Sequence, residues 1–418
     1  MARSPDPPIS RHHWHAVTAG FLGWTLDAFD FFVVVFMVDR LALEFHVDKS
    51  AIIWTLTATL ATRPLGAVIF GLLADRYGRR IPLIANVLYF SLIELLCGFA
   101  PNYTVFLILR LLFGIGMGGE WGVGSSLAME AAPPRWRGVL SGLLQNGYAA
   151  GYLLAALASR FVLPIPGWGW RAMFWTGGLP ALLALYIRAR VPESEAWKQH
   201  RAGSTRQILR VVAGQWKLFA YLALLMTVMM CLSHGTQDLY PDFLKTVHRL
   251  KGETVAYMAI LYNLGAIAGG VTFGHLSERA GRRRAMQMAL ALSLVVMPLW
   301  AFGGGVTTLV IGAVLMQAGV QGAWGIIPAH LNELAPDAAR GLMPGLAYQL
   351  GILFAAPTNT VEYWLRDTFG YQWALAGFEI CVISLIALTL VFGRERRGRA
   401  FVMATAQPTE FEQMVHEG

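Results

Sequence analysis

Ionisable side chains set inside long apolar stretches are the first feature of this 418-residue chain that admits specific chemistry. A charged group at the centre of a bilayer costs about 2.5–3.5 kcal/mol on insertion scales, so each needs a reason to be there. Asp27 and Asp30 are three residues apart and share one face of a helix. Such a pair can take up a proton or hold a gate, or it can pair with a basic residue for packing alone. Arg63, between Thr62 and Pro64, carries a rigid fork of donors that fits a carboxylate at two points. It is expected to anchor a substrate carboxylate, to pair with Asp27 or Asp30, or to alternate between the two. His234 and Asp238 are four apart, and a His–carboxylate pair can store and pass a proton near neutral pH. The competing reading is a satisfied polar patch. Ser233 and Gln237 form a neighbouring pair, and Gly235 and Pro241 loosen the helix around them. Asn146 and Gln349 offer amides that could bond a ligand or join helices. Glu94, Arg110 and Glu120 read as structural, and Glu362 and Glu379 as solvated groups near helix ends. No second His or Cys stands at ligand spacing, so no metal is expected. No nucleophile–base set is found either, so the chain reads as a non-enzyme without a cofactor.

The elements that position these residues follow from composition. Hydrophobic residues make up 56%, charged residues 14%, and the mean hydropathy is +0.51. Soluble domains carry about 25% charged residues. The apolar residues come in runs of about 20, the length that crosses a bilayer core about 30 Å thick. A soluble enzyme, a fibrous protein and a disordered chain are excluded. Twelve membrane-spanning helices are expected near 16–38, 51–73, 81–100, 103–129, 139–162, 171–190, 218–243, 253–275, 285–303, 305–330, 342–364 and 373–393. Residues 1–190 then form one six-helix bundle and 191–217 a cytoplasmic linker. Residues 218–393 form a second six-helix bundle and 394–418 a cytoplasmic tail. The net charge of +8 reflects topology and not nucleic-acid binding, because 23 of the 33 Lys and Arg residues fall on one side of these spans. That side is expected to be cytoplasmic, with both termini on it. Cys97, Cys231 and Cys381 all lie in apolar runs, which argues against disulfides. The polar Met1–His15 segment is not expected to be a cleaved signal peptide.

An internal repeat ties the halves together. Gly71-Leu72-Leu73-Ala74-Asp75-Arg76-Tyr77-Gly78-Arg79-Arg80 recurs as Gly274-His275-Leu276-Ser277-Glu278-Arg279-Ala280-Gly281-Arg282-Arg283, at an offset of 203 residues. The same offset maps Trp121-Gly122 onto Trp324-Gly325, Glu130 onto Glu333, Arg137-Gly138 onto Arg340-Gly341 and Asn146 onto Gln349. In the loop motif Asp75 can cap a neighbouring helix end and pair with basic residues across the bundle. Asp75, Arg76 and Arg79, with Glu278, Arg279 and Arg282, are therefore expected to form a gate.

This duplicated motif resembles the loop motif of the major facilitator superfamily. Three further segments narrow the resemblance: Gly23-Trp24-Thr25-Leu26-Asp27-Ala28-Phe29-Asp30-Phe31, Arg63 upstream of Gly66, and Ser233-His234-Gly235-Thr236-Gln237-Asp238. Together they resemble the sialate:proton symporter family, which holds bacterial sialic acid transporters and fungal lactate/pyruvate permeases. The last segment is similar to the lactate-permease pattern but departs from it at Met230 and Asp242. The resemblance implies two pseudo-symmetric six-helix bundles that rock about a site between them at mid-membrane. It also implies symport of a small monocarboxylate such as lactate or pyruvate with a proton. Arg63, Asn146, Gln237 and Gln349 would bind substrate, and Asp27, Asp30, His234 and Asp238 would couple the proton. The expected partners are a carboxylate, a proton and the lipid bilayer, and the expected state is a monomer. Sialic acid transport in the same family and a carboxylate-binding membrane sensor are the alternatives.

Overall fold

The computed structural model describes residues 10–165 and 169–402. Met1–Ile9, expected at the N-terminus, and the tail beyond residue 402 lie outside the described residues. Among the described residues the ordered structure is helical. The first half holds α1 (Arg11–Phe36), α2 (Val38–Glu44), α3 (Lys49–Tyr77), α4 (Arg80–Cys97), α5 (Tyr103–Ala131), α6 (Arg137–Gln145), α7 (Gly147–Phe161), α8 (Gly169–Thr176) and α9 (Pro180–Arg190). Two short helices follow, α10 (Glu195–His200) and α11 (Thr205–Gly214). The second half holds α12 (Trp216–Gln237), α13 (Tyr240–Thr246), α14 (Gly252–Ala280), α15 (Arg282–Phe302), α16 (Val306–Trp324), α17 (Ile327–Leu334), α18 (Met343–Ala355), α19 (Thr358–Phe369) and α20 (Tyr371–Phe392).

Each half has its own apolar core. Two clusters draw only on residues between Ala16 and Val191, and a third draws on residues from Leu222 to Leu390. Trp24 and Trp121 are the residues of the first half that join this third cluster. Among the described residues ten helical stretches are long and apolar enough to cross a membrane. The two missing from the expected twelve are broken in the middle. The span expected over 139–162 is divided at Asn146 into α6 and α7, where Asn146-Gly147 is a poor helical pair. The span expected over 342–364 is divided into α18 and α19 at Ala356-Pro357, where proline has no N–H to continue the ladder. The polar stretch between the halves is also helical in part. Ser194 caps α10 by accepting from the Trp197 N–H, and Ser204 caps α11 by accepting from the Gln207 N–H.

Within each half, glycines bring pairs of helices close enough for backbone to meet backbone, as bundles in lipid require. A Cβ on Gly66 of α3 would lie 1.8 Å from the Ile115 carbonyl oxygen of α5. Its repeat mate, Gly269 of α14, would meet the Ala318 carbonyl oxygen of α16 at 2.1 Å. The repeat is therefore one of packing as well as of sequence. Gly66→Ala is expected to destabilise the first bundle by about 1–3 kcal/mol through overpacking. A lower thermal midpoint of the detergent-purified protein would register it, and an unchanged midpoint would refute this account of α3–α5 packing.

Candidate functional site

Arg63 sits on α3 with its backbone against α5: a Cβ on Gly118 would lie 1.9 Å from the Arg63 carbonyl oxygen. The preceding Thr62 donates to the Leu111 carbonyl at 2.9 Å and ties the same turn to α5. The Arg63 side chain is buried, and its Nε and Nη2 have no hydrogen-bond partner among the described residues. The expected pairing with Asp27 or Asp30 is not made in this conformation. Asp27 nevertheless lies within electrostatic reach of both Arg63 and Arg110.

Asp27 and Asp30 are both fully buried on α1, with all four carboxyl oxygens unpartnered among the described residues. Around them the structure gathers residues that read from sequence as merely structural. Arg110 of α5 pairs with Glu94 of α4 at 2.6 Å, and this pair acts electrostatically on Asp30. The Glu120 carboxyl, also unpartnered, packs against Gly23 and acts on Asp27. The first half thus buries four carboxyl groups (Asp27, Asp30, Glu94, Glu120) around two guanidiniums (Arg63, Arg110).

In the second half, His234 Nδ1 lies 3.0 Å from Asp238 Oδ2, and Asn359 Nδ2 donates to the same oxygen at 2.9 Å. Both side chains of the pair remain part-exposed, about 40%. The three amides expected to meet substrate are engaged in helix contacts. Gln237 donates to Gln317 of α16 at 2.9 Å, Gln349 donates to the Gly118 carbonyl at 3.2 Å, and Asn146 donates to the Ile267 carbonyl at 3.4 Å. The last two bonds cross between the halves. Glu362 and Glu379, expected to be solvated, are instead buried at 1% and 0% exposure. Glu379 falls in the middle of α20 and its carboxyl packs against Gly235.

At the end of the bundle that carries the duplicated loop, the halves are pinned by a two-fold set of polar contacts. Asp75 accepts from the backbone N–H groups of Gly341 (2.7 Å) and Leu342 (3.0 Å), just ahead of α18. Its repeat mate Glu278 accepts from the Gly138 N–H of α6. Arg79 pairs with Asp75 (2.5 Å) and Glu130 (2.9 Å), and Arg282 pairs with Glu278 and Glu333, each at 2.9 Å. Two more pairs cross between the halves, Arg340–Glu130 at 3.1 Å and Arg137–Glu333 at 3.0 Å. Close glycine contacts accompany them: a Cβ on Gly71 would meet Leu342 Cα at 2.7 Å, and one on Gly274 the Gly138 carbonyl oxygen at 2.5 Å. Arg76 and Arg279, expected in the same gate, stand apart from it. The first donates to the Gly203 carbonyl at 2.9 Å, and the backbone carbonyl of the second accepts from Arg397. Glu130, Glu333, Arg137 and Arg340 take part instead. In the sequence they stand out only as residues that the 203-residue offset maps onto one another.

A last element closes this end. The chain after α20 runs back across it, and the Phe401 ring lies 3.9 Å from the guanidinium carbons of both Arg137 and Arg340. Arg399 bonds Asp337 and the carbonyls of Glu333 and Ala335.

Comparison with known proteins agrees with this architecture. The family profile described as "Sugar (and other) transporter" matches residues 14–218 and 229–395. A carboxylic acid transporter protein homolog of Saccharomyces cerevisiae is 33% identical over 88% of this chain, and the match spans 64% of that protein's own length. A putative niacin/nicotinamide transporter of Bacillus subtilis is 31% identical over 93% of this chain and 98% of its own. The solved structure of a major facilitator superfamily proton:xylose symporter superposes with a TM-score of 0.73 at 20% identity, covering 94% of this chain and 98% of that one. With its two helical bundles, its repeat-related contacts between the halves and a family match over nearly its full length, this chain belongs to the sugar (and other) transporter family and is a multi-pass membrane transporter, not an enzyme, with the fold of the solved major facilitator superfamily symporter.

Proposed function

We propose that this transporter carries small monocarboxylates of the lactate and pyruvate type together with a proton across the cytoplasmic membrane, by alternating access. The observation that supports the carboxylate is Arg63, a buried guanidinium with free donors beside the interface between the halves. In an apolar surround an unmet guanidinium favours an anion that takes two of its donors at once. The proton is supported by the charge balance around it. Four buried carboxyl groups face two guanidiniums, so ionising all four would leave two net negative charges inside the bilayer, and protons remove that cost. His234 and Asp238 form a second station that water can reach.

The excess of Lys and Arg at the pinned end supports a cytoplasmic position for that end, the linker and both termini. In this reading the contacts at the pinned end form the cytoplasmic gate and are closed in this conformation. A proton enters at Asp27/Asp30 or His234/Asp238, the anion docks on Arg63, and the halves rock once charge is balanced. The protein works as a monomer, since each half supplies part of one site.

The test is uptake of labelled lactate into proteoliposomes with and without an inward proton gradient, challenged by unlabelled pyruvate or sialate. Gradient-driven accumulation blocked by pyruvate and not by sialate is the expected result; block by sialate alone would move the substrate to sialic acids. His234→Ala is expected to abolish gradient-driven accumulation while leaving exchange of internal for external lactate. Unchanged dependence on pH would remove His234 from the coupling path.

A further inference from the structure

Five aromatic rings converge where the two halves meet. Trp24 of α1 stacks on Tyr148 of α7, with ring centres 5.5 Å apart, and meets Tyr348 of α18 edge-on at 5.9 Å. Tyr348 also stacks on Trp121 of α5 at 4.1 Å and is flanked by Trp324 of α16 at 5.9 Å. Trp121 and Trp324 are repeat mates, so Tyr348 of the second half lies between equivalent positions of both halves. Its own repeat mate is Gln145, so the two halves differ here.

Gln145 Oε1 accepts from the Trp121 indole N–H at 3.3 Å, and Gln145 is also the side-chain partner of the Tyr348 hydroxyl. The phenol O–H is a donor that rotates to suit its surroundings, so it can be turned to an anion that enters beside it. Among ionised side chains, Arg63 acts most strongly on both Tyr348 and Tyr148. Tyr148 is 37% exposed although it packs against Trp24 and Phe32 of α1. A phenol that can donate, near an unmet guanidinium, is an arrangement suited to an anion.

We propose that Tyr348, together with Tyr148, completes the seat for the substrate carboxylate, Tyr348 being the contribution of the second half. This rests on the reading of Arg63 as the anchor. An anion held by Arg63 on α3 and Tyr348 on α18 touches both halves at once. Its binding then acts directly on their relative position, which is what a ligand must do to shift a two-state equilibrium. Tyr348 is thus a specificity residue that also reports occupancy across the interface.

The test is equilibrium binding of pyruvate and of L-lactate to the purified full-length protein, with pyruvamide as the uncharged control. Tyr348→Phe keeps every ring contact and removes only the hydroxyl. It is expected to weaken binding of both acids about tenfold or more, with no change in thermal midpoint and no change in the weaker binding of pyruvamide. Tyr148→Phe is expected to weaken the acids less. If Tyr348→Phe binds both acids as tightly as the wild type while Arg63→Ala does not, the seat is overturned and the anchor stands. Equal loss for the acids and pyruvamide would make Tyr348 a packing residue and also overturn the proposal. If the wild type binds neither acid, the carboxylate reading fails and takes the seat with it.

Discussion

Arg63→Ala is expected to raise the dissociation constant for the transported acid about 100-fold, and gradient-driven accumulation is expected to fall to background. Two hydrogen bonds to a charged group, about 1.5–3 kcal/mol each, put about 3 kcal/mol or more at stake, and a 100-fold change is about 2.8 kcal/mol. The site keeps little to replace them, because the other buried guanidinium, Arg110, is engaged by Glu94 at 2.6 Å. Arg63→Lys is expected to recover only part of the affinity, since a point charge cannot reproduce the planar fork. Removing Arg63 also withdraws a cation from reach of Asp27 and Glu120. The thermal midpoint must therefore be read alongside binding. A folded Arg63→Ala protein with wild-type affinity would end the anchor assignment.

The second large effect is expected at the pinned end. Breaking one member of a buried ion pair costs about 3–5 kcal/mol. Arg340–Glu130 and Arg137–Glu333 cross the gap between the halves, so much of that cost falls on the closed conformation and not on the fold. Arg340→Ala and Arg137→Ala are each expected to shift the balance towards the cytoplasm-open state by about two orders of magnitude. The reporter is a Ser125→Cys thiol in a protein with Cys97, Cys231 and Cys381 replaced by alanine. Ser125 is 1% exposed and faces Asn332 of the second half across this interface. Its rate of maleimide labelling is expected to rise steeply in both variants. Phe401→Ala removes one ring shared by two guanidiniums, and a smaller rise of about tenfold is expected. Labelling that stays at the wild-type rate in all three variants would make these contacts part of the fold, and not a gate.

Much of this was legible in the chain alone, and for definite reasons. A bilayer penalises every unpaired polar group, so spans appear as apolar runs and the few ionisable residues within them stand out. Asp27, Asp30, Arg63 and His234/Asp238 could be picked out on that ground. Contacts of Asp75 and Glu278 across the bundle could be anticipated because duplication left two copies of the same segment at one offset. Arg76 and Arg279 were drawn in by adjacency. Each follows its acidic neighbour by one residue and so leaves the helix on another side: Arg76 reaches the linker at Gly203, and the Arg279 carbonyl meets Arg397 of the tail.

Other features depended on how distant segments meet. Glu94, Arg110 and Glu120 carry no pattern that separates a structural ion pair from a member of a charged cluster around Asp27 and Asp30. Only the packing of α1, α4 and α5 joins them. Glu379 reads as a helix-end residue until α20 is seen to bury its middle against Gly235. Tyr348 is one tyrosine among thirteen, and its place between Trp121 and Trp324 exists only once the two halves are brought together. By itself the sequence determined the membrane, the two-bundle plan and the duplicated loop motif, because hydropathy and repetition are local and additive along the chain. The tertiary structure decided which charges share a surround and which residues face across the interface, because burial and electrostatic neighbourhood belong to pairs of residues far apart in sequence.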